Sequence, residues 1–318
     1  MLSRQWRLPC LIARSILLFW TSVAAASEPQ TEAHTATVRT PLIHCGPDVD
    51  GWYVSTSDNF RIRHQLSVKF AEGVAEAAEK ARGKAQELWL GNALAPWRPR
   101  CEIRIHLDGQ AYWRETGVLP ASRGHSRFVI EEGRVLCRSI ELRADDSEML
   151  SAILPHEVTH AVIAGLGGDR PVPRWADEGM AILAEPAKST DAYRVKLLAA
   201  GDHIFALKEL MEMDYPVSSQ AEVFYAQSAS LVRFLARQKD GAQFTTFLRD
   251  CMRLGCRTAL DMDYGYRDLD QLRDRWRAAT FAKHSSAGSS TSMGVPGSAS
   301  NALFSLSNMP ERVAGPHP

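Results

Sequence analysis

Every strand signal in this 318-residue chain lies before residue 144, and the segments from there to residue 282 read as helical. A chain written as strands first and helices second builds an α+β domain, with the helices gathered at one side or end of the sheet. The runs 52–56 and 60–63 flank a Ser57-Asp58-Asn59 turn and read as two strands. Residues 66–90 are rich in Ala, Glu and Lys. Val68, Phe70, Val74, Ala78, Ala81 and Leu88 recur there at helical spacing, and Gly91-Asn92 supplies a stop. Residues 102–107 alternate strictly between polar and apolar, as a half-buried strand does, and a short helix is expected around Tyr112 and Trp113. The runs 127–130 and 134–137 flank Glu131-Glu132-Gly133, a hairpin signature, with the second strand continuing through 140–142. Helices are then expected over 147–165, 175–185, 189–200, 205–213, 219–238, 241–252 and 268–281. The expected architecture is α+β: a small, mostly antiparallel sheet lobe with one long helix, then an all-helical C-terminal lobe.

The two ends read differently. Arg4, Arg7 and Arg14 precede a short apolar run, 15–23, and Ala24-Ala25-Ala26. This is the layout of a secretory signal peptide over residues 1–26, and the run is short for a membrane span. An uncleaved anchor is the alternative. The expected location is therefore outside the cytoplasm, in the periplasm or cell envelope or secreted. Residues 27–43 read as a flexible linker, 44–282 as the folded domain, and 283–318, rich in Ser and Gly, as a disordered tail. Lys and Arg together number 37, as do Asp and Glu, which leaves no basic footprint for nucleic acid. Five cysteines lie beyond the signal: Cys45, Cys101, Cys137, Cys251 and Cys256. An exported chain can form disulfides, with Cys251–Cys256 and Cys101–Cys137 as candidate pairs, but an odd count leaves one thiol over.

The first helix of the helical half carries His156-Glu157-Val158-Thr159-His160, an HExxH motif. Positions i and i+4 share a helix face, so both imidazoles can reach one metal ion. Glu157 lies close enough to serve as a base beside it. Pro155 removes a helical hydrogen bond, so a kink or a fresh helical start is expected there. Gly165, Gly167, Gly168, Pro171 and Pro173 then form a turn-rich loop that can reverse the chain. It leads into Trp175-Ala176-Asp177-Glu178-Gly179, which brings a carboxylate back to the two imidazoles. Gly179 would let two helix backbones approach closely.

HExxH followed by W-x-x-E-G resembles the gluzincin metallopeptidases, and more closely bacterial proteins carrying a peptidase MA-like domain. The resemblance spans roughly 50–280, with its specific motifs at 156–185 and, less firmly, 224–235. It implies a zincin-like fold, zinc held by His156, His160 and Glu178, and Glu157 as general base in peptide hydrolysis. Two imidazoles and a carboxylate suit that assignment chemically, leaving one open position on a tetrahedral zinc. Tyr225, in a segment similar to a tyrosine-bearing one of such domains, is a candidate oxyanion donor; an ordinary half-buried aromatic is the other reading. His203 is a weaker candidate for the same role. Gluzincins of the thermolysin type carry an Asp four residues after the Glu ligand, where this chain has Ile182. Asp177 is the nearest substitute. The resemblance also implies an edge strand that pairs with an extended substrate, and residues 134–143 are the expected edge.

Two other readings stay open: a catalytically silent binding protein that keeps the fold, and a zinc amidase acting on cell-wall peptides. The implied partner is a peptide or protein substrate. His44, His64, His106 and His125 are scattered and read as core or surface histidines. Asp261-Met262-Asp263-Tyr264-Gly265 lacks the glutamate of a calcium loop and reads as a turn. No G-x-S-x-G elbow or phosphate-binding loop occurs.

Overall fold

Strands joined by a tight turn run antiparallel, whereas strands joined through a helix can lie parallel, and the sheet of this protein follows both rules. A computed structural model describes residues 42–92, 95–119 and 121–282. The expected signal peptide, most of the linker and the Ser/Gly-rich tail lie outside the described residues. Strands β1 (Ile43–Cys45), β2 (Tyr53–Thr56) and β3 (Phe60–His64) form an antiparallel meander. Helix α1 (Val68–Leu90) then crosses over, so β4 (Cys101–His106) returns parallel to β3. After helix α2 (Gly109–Thr116), β5 (Gly124–Glu131) and β6 (Arg134–Arg143) form the hairpin, and β6 inserts parallel beside β4. The strand order is β1-β2-β3-β4-β6-β5. The sheet is therefore mixed: three of its five pairings are antiparallel, as expected, and two are parallel. A crossover before β4 and a hairpin placed with its second strand inward make the two central ladders parallel.

The edge is also a correction. Residues 134–143 form β6, which is paired on both sides, and β5 is the edge strand. Sequence alternation marks a strand but not its neighbours. The hairpin turn is built as its residues require: Glu132 and Gly133 both take positive φ, 49° and 71°, the conformation favoured in two-residue hairpin connections.

Ile62, Ile103 and Ile140 sit opposite one another across β3, β4 and β6, and all three are fully buried. Each contributes about 1.5–3 kcal/mol by leaving water. The apolar stripe of α1, including Val74, Ala78 and Ala85, belongs to the same core. Ser67 caps its start and Gly91, at φ 71°, ends it.

Every later element is helical. A single π-helical turn, Met149–Ile153, leads into α3 (Leu154–Ile163). Then come α4 (Arg174–Ile182), α5 (Ala187–Ala200), α6 (Leu207–Glu212), α7 (Ala221–Gln238), α8 (Gly241–Leu254), α9 (Cys256–Tyr264) and α10 (Leu269–Phe281). Helix α9 is one that periodicity did not reveal. Asp261 to Tyr264 form its last turn rather than a loop, and Gly265 closes it in the left-handed region. One continuous apolar core runs from Phe60 in the sheet to Trp276 in α10. The five cysteines from Cys45 to Cys256 are free thiols, so neither candidate pair is joined. No helix among the described residues is long and apolar enough to cross a membrane.

Candidate metal centre

Pro155 decides how α3 begins. Its ring cannot donate to the preceding turn and would crowd a carbonyl there. The π-helical turn just before it widens the backbone: Ile153 N donates to Glu148 O, 3.2 Å, five residues back. A regular α-helix then restarts at Leu154 with Pro155 in its first turn. This is the fresh start expected from the sequence. Val158, Ala161 and Val162 turn into the core, and the two motif histidines lie side by side with ring centroids 4.9 Å apart.

The glycine- and proline-rich loop returns the chain into α4, which carries Glu178. His156 Nε2 lies 3.5 Å and His160 Nε2 3.8 Å from Glu178 Oε2. One donor atom from each of the three residues falls within 4.8 Å of the others. Donors at zinc-type bond lengths in a tetrahedron stand about 3.4 Å apart. The three side chains therefore fit a small divalent cation with little movement.

Two further carboxylates hold this arrangement. His156 Nδ1 donates to Glu185 Oε1, 2.9 Å, and His160 Nδ1 donates to Asp177 Oδ1, 2.7 Å. A carboxylate can only accept, so each Nδ1 carries a hydrogen, and Nε2 is the ring atom left to turn towards a metal ion. Asp177 fills the supporting role that the sequence reading considered for it. Glu185 does the same for His156, where sequence analysis found only Ile182 at the usual spacing. Arg174, also absent from the sequence reading, donates to Glu178 Oε1 at 3.1 Å and stacks over the Tyr215 ring. That bond occupies one carboxylate oxygen and leaves Oε2 facing the imidazoles.

The electrostatics favour a cation. Burial alone would lower the His156 pKa, but hydrogen bonds to Glu178 and Glu185 carry it well above the ordinary imidazole value. Burial alone would raise the Glu178 carboxyl, yet His156, His160 and Arg174 hold it below the usual range. Glu157 is raised, because burial outweighs the pull of the two histidines. Its Oε2 is buried and has no hydrogen-bond partner among the described residues. A buried oxygen without a partner costs roughly 1–3 kcal/mol.

His156, Glu157, His160 and Glu178 line one small cavity that opens to solvent, with Arg123, Gly124, Tyr193 and Tyr225 among its other walls. Tyr225, on α7, is 9 % exposed. Burial raises the phenol pKa of both Tyr193 and Tyr225, so both hydroxyls remain donors at neutral pH. Tyr193 was not singled out from the sequence, and nothing in its local spacing distinguishes it. His203 is exposed after α5 and is not among the residues lining the cavity. The expected edge, β6, does not line it either; Gly124 of β5 does. No family model matches this chain. No curated protein is matched by it either.

Proposed function

We propose that this protein is an exported zinc metallopeptidase of the gluzincin kind. The observation that carries the reading is the convergence of His156, His160 and Glu178 beside the unpartnered carboxylate oxygen of Glu157. Zinc bound there would act as a Lewis acid, polarising a carbonyl and acidifying water. The residues of the chain do the rest. Glu157 accepts the proton of the attacking water and passes it to the departing amine. Its raised pKa direction brings its basicity nearer to neutral pH, where proton transfer is most effective. Glu185 and Asp177 keep both imidazoles in the binding tautomer. Tyr225, which lines the cavity together with Tyr193, offers an O–H to the developing oxyanion.

The free edge of β5 supports an extended peptide as substrate. Gly124 brings that edge to the cavity wall, and an added strand would draw its hydrogen bonds from β5 backbone. A sheet lobe and a helical lobe on either side of the cleft, as in zincins, belongs to this proposal, as does export by the N-terminal 26 residues. The decisive experiment compares the wild type with Glu157→Gln, measuring bound zinc and cleavage of a broad peptide library. Wild type should bind about one zinc and cleave; the variant should keep the zinc and lose roughly 10²–10⁴ in rate. Equal cleavage by both, or no zinc in either, would sink the reading. Zinc binding without cleavage of peptides or peptidoglycan fragments would favour a silent binding protein.

A further inference from the structure

Helices α5 and α7 pack side by side, and with the end of α10 they line a second groove of about 590 Å³. Leu198, Ala229 and Phe234 give it an apolar floor, while Arg194, Arg233 and Arg237 stand around it. Arg233 is half-buried. Neither Arg233 nor Arg237 has an ion pair or hydrogen bond with a described residue. Burial lowers the Arg233 pKa, and the like charges of Arg237 and Arg194 lower it further against a single favourable carboxylate, Asp191. Asp191 itself lies 3.8 Å from Arg194 and is largely exposed. The three guanidiniums put charge of one sign along the groove, offset at Arg233 by Asp191. Their arrangement is complementary to an anion that also carries apolar surface.

The groove adjoins the metal cavity at one side chain. Tyr193 lines both, and Tyr225 on the cavity side is followed by Ala226 on the groove side. The α7 wall from Ala226 to Arg237 is about 16 Å long at the helical rise, the span of about five extended residues. That is too long for a small inorganic anion. We propose that this groove binds an acidic, apolar-interspersed segment of the polypeptide substrate, so that the arginines select substrates with acidic residues to one side of the reacting bond. The identity of the ligand as substrate rests on the peptidase reading; the groove's preference for acidic peptide does not.

The test uses the full chain carrying Glu157→Gln, which binds without cleaving. Fluorescence anisotropy follows a labelled ten-residue peptide of alternating Glu and Leu, with Gln/Leu and Lys/Leu peptides beside it. The acidic peptide should bind tightest, with affinity falling as salt rises. Adding Arg233→Ala and Arg237→Ala should weaken it about tenfold, the loss expected for one or two charge-assisted hydrogen bonds. Arg233→Lys with Arg237→Lys should retain most of the binding, which separates lost charge from lost folding. Equal binding of the three peptides, or unchanged binding after both Ala substitutions, overturns the proposal. So does preferential binding of phosphatidylglycerol vesicles over the acidic peptide. With Glu157 intact, cleavage of library peptides without acidic bias overturns the groove proposal while the peptidase reading stands. Arginine-dependent binding in a protein that cleaves nothing has the reverse meaning.

Discussion

The two histidines of the motif are held as much by their carboxylate partners as by the helix that carries them. Glu185 fixes the ring of His156 and Asp177 that of His160, each through Nδ1. Removing such a partner frees the ring to rotate and lowers its basicity, typically weakening metal binding 10–100-fold. Glu185→Ala should therefore raise the zinc dissociation constant by about that factor, measured against a chelator of known affinity; an unchanged constant would show that Glu185 is only a surface-side neighbour. Asp177 was legible because it adjoins the candidate ligand Glu178 in sequence. Glu185 was not: α4 stops at Ile182, and only the turn that follows carries Glu185 back to His156. Tyr193 was hidden for the same reason, since a side chain's neighbours across a cavity leave no periodic trace, whereas Arg174 stands four residues before Glu178 on the same helix, a spacing that could have flagged it.

At the level of elements, the position of Glu178 depends on how closely α4 can lie on α7. Gly179 makes that contact possible. A methyl group there would stand 2.5 Å from Val232 Cγ2 and 2.7 Å from Ser228 O. One of those neighbours is backbone, so the helices would have to part. Gly179→Ala should cost about 1–3 kcal/mol, the usual penalty of overpacking, despite the better helix propensity of alanine. Denaturant titration reads the loss, and a more stable variant would refute the close-contact account. The expectation that Gly179 serves close helix packing agrees with the structure. The partner, α7, is more than forty residues on in sequence and was not identifiable from it. The same holds for the sheet. Alternation located β4, β5 and β6, but which strand lies at the edge depends on how the hairpin docks.

For the whole molecule, a buried polar cluster beneath the edge strand links global stability to pH. His125 on β5 is fully buried, with Tyr112 Oη 2.5 Å from its Nδ1. Burial, aided by Arg127, lowers its pKa to about 4. An unfolded histidine titrates near 6.5. The folded value is the lower one, so the unfolded chain binds the extra proton first. The contribution of neutral His125 is fully present above about pH 6.5 and is lost as pH falls through 4. Its full extent is about 3 kcal/mol at the ordinary conversion of pKa difference to free energy. Between pH 7 and 4 the wild type should lose about that much more stability than His125→Gln; parallel stability profiles for the two proteins would contradict it. Sequence analysis placed His125 as an ordinary core or surface histidine. It is a core one, and its depth is a property of β5 packing under α2 and α3.

What the sequence determined by itself is local. Period-two and helical spacing specify most strands and helices, Pro155 specifies a helical restart, and HExxH with Glu178 specifies a set of residue types suited to a metal. These signals act between neighbours along the chain, where backbone geometry dictates which side chains share a face. The tertiary structure decided what no local rule reaches. It set the parallel centre of the sheet and the edge role of β5. It also set the Glu185 and Arg174 contacts and the arginine groove that meets the metal cavity at Tyr193. Apart from the local pair of Arg174 with Glu178 four residues on, each of these joins segments far apart in sequence, and such contacts are selected by burial and complementarity summed over the whole core.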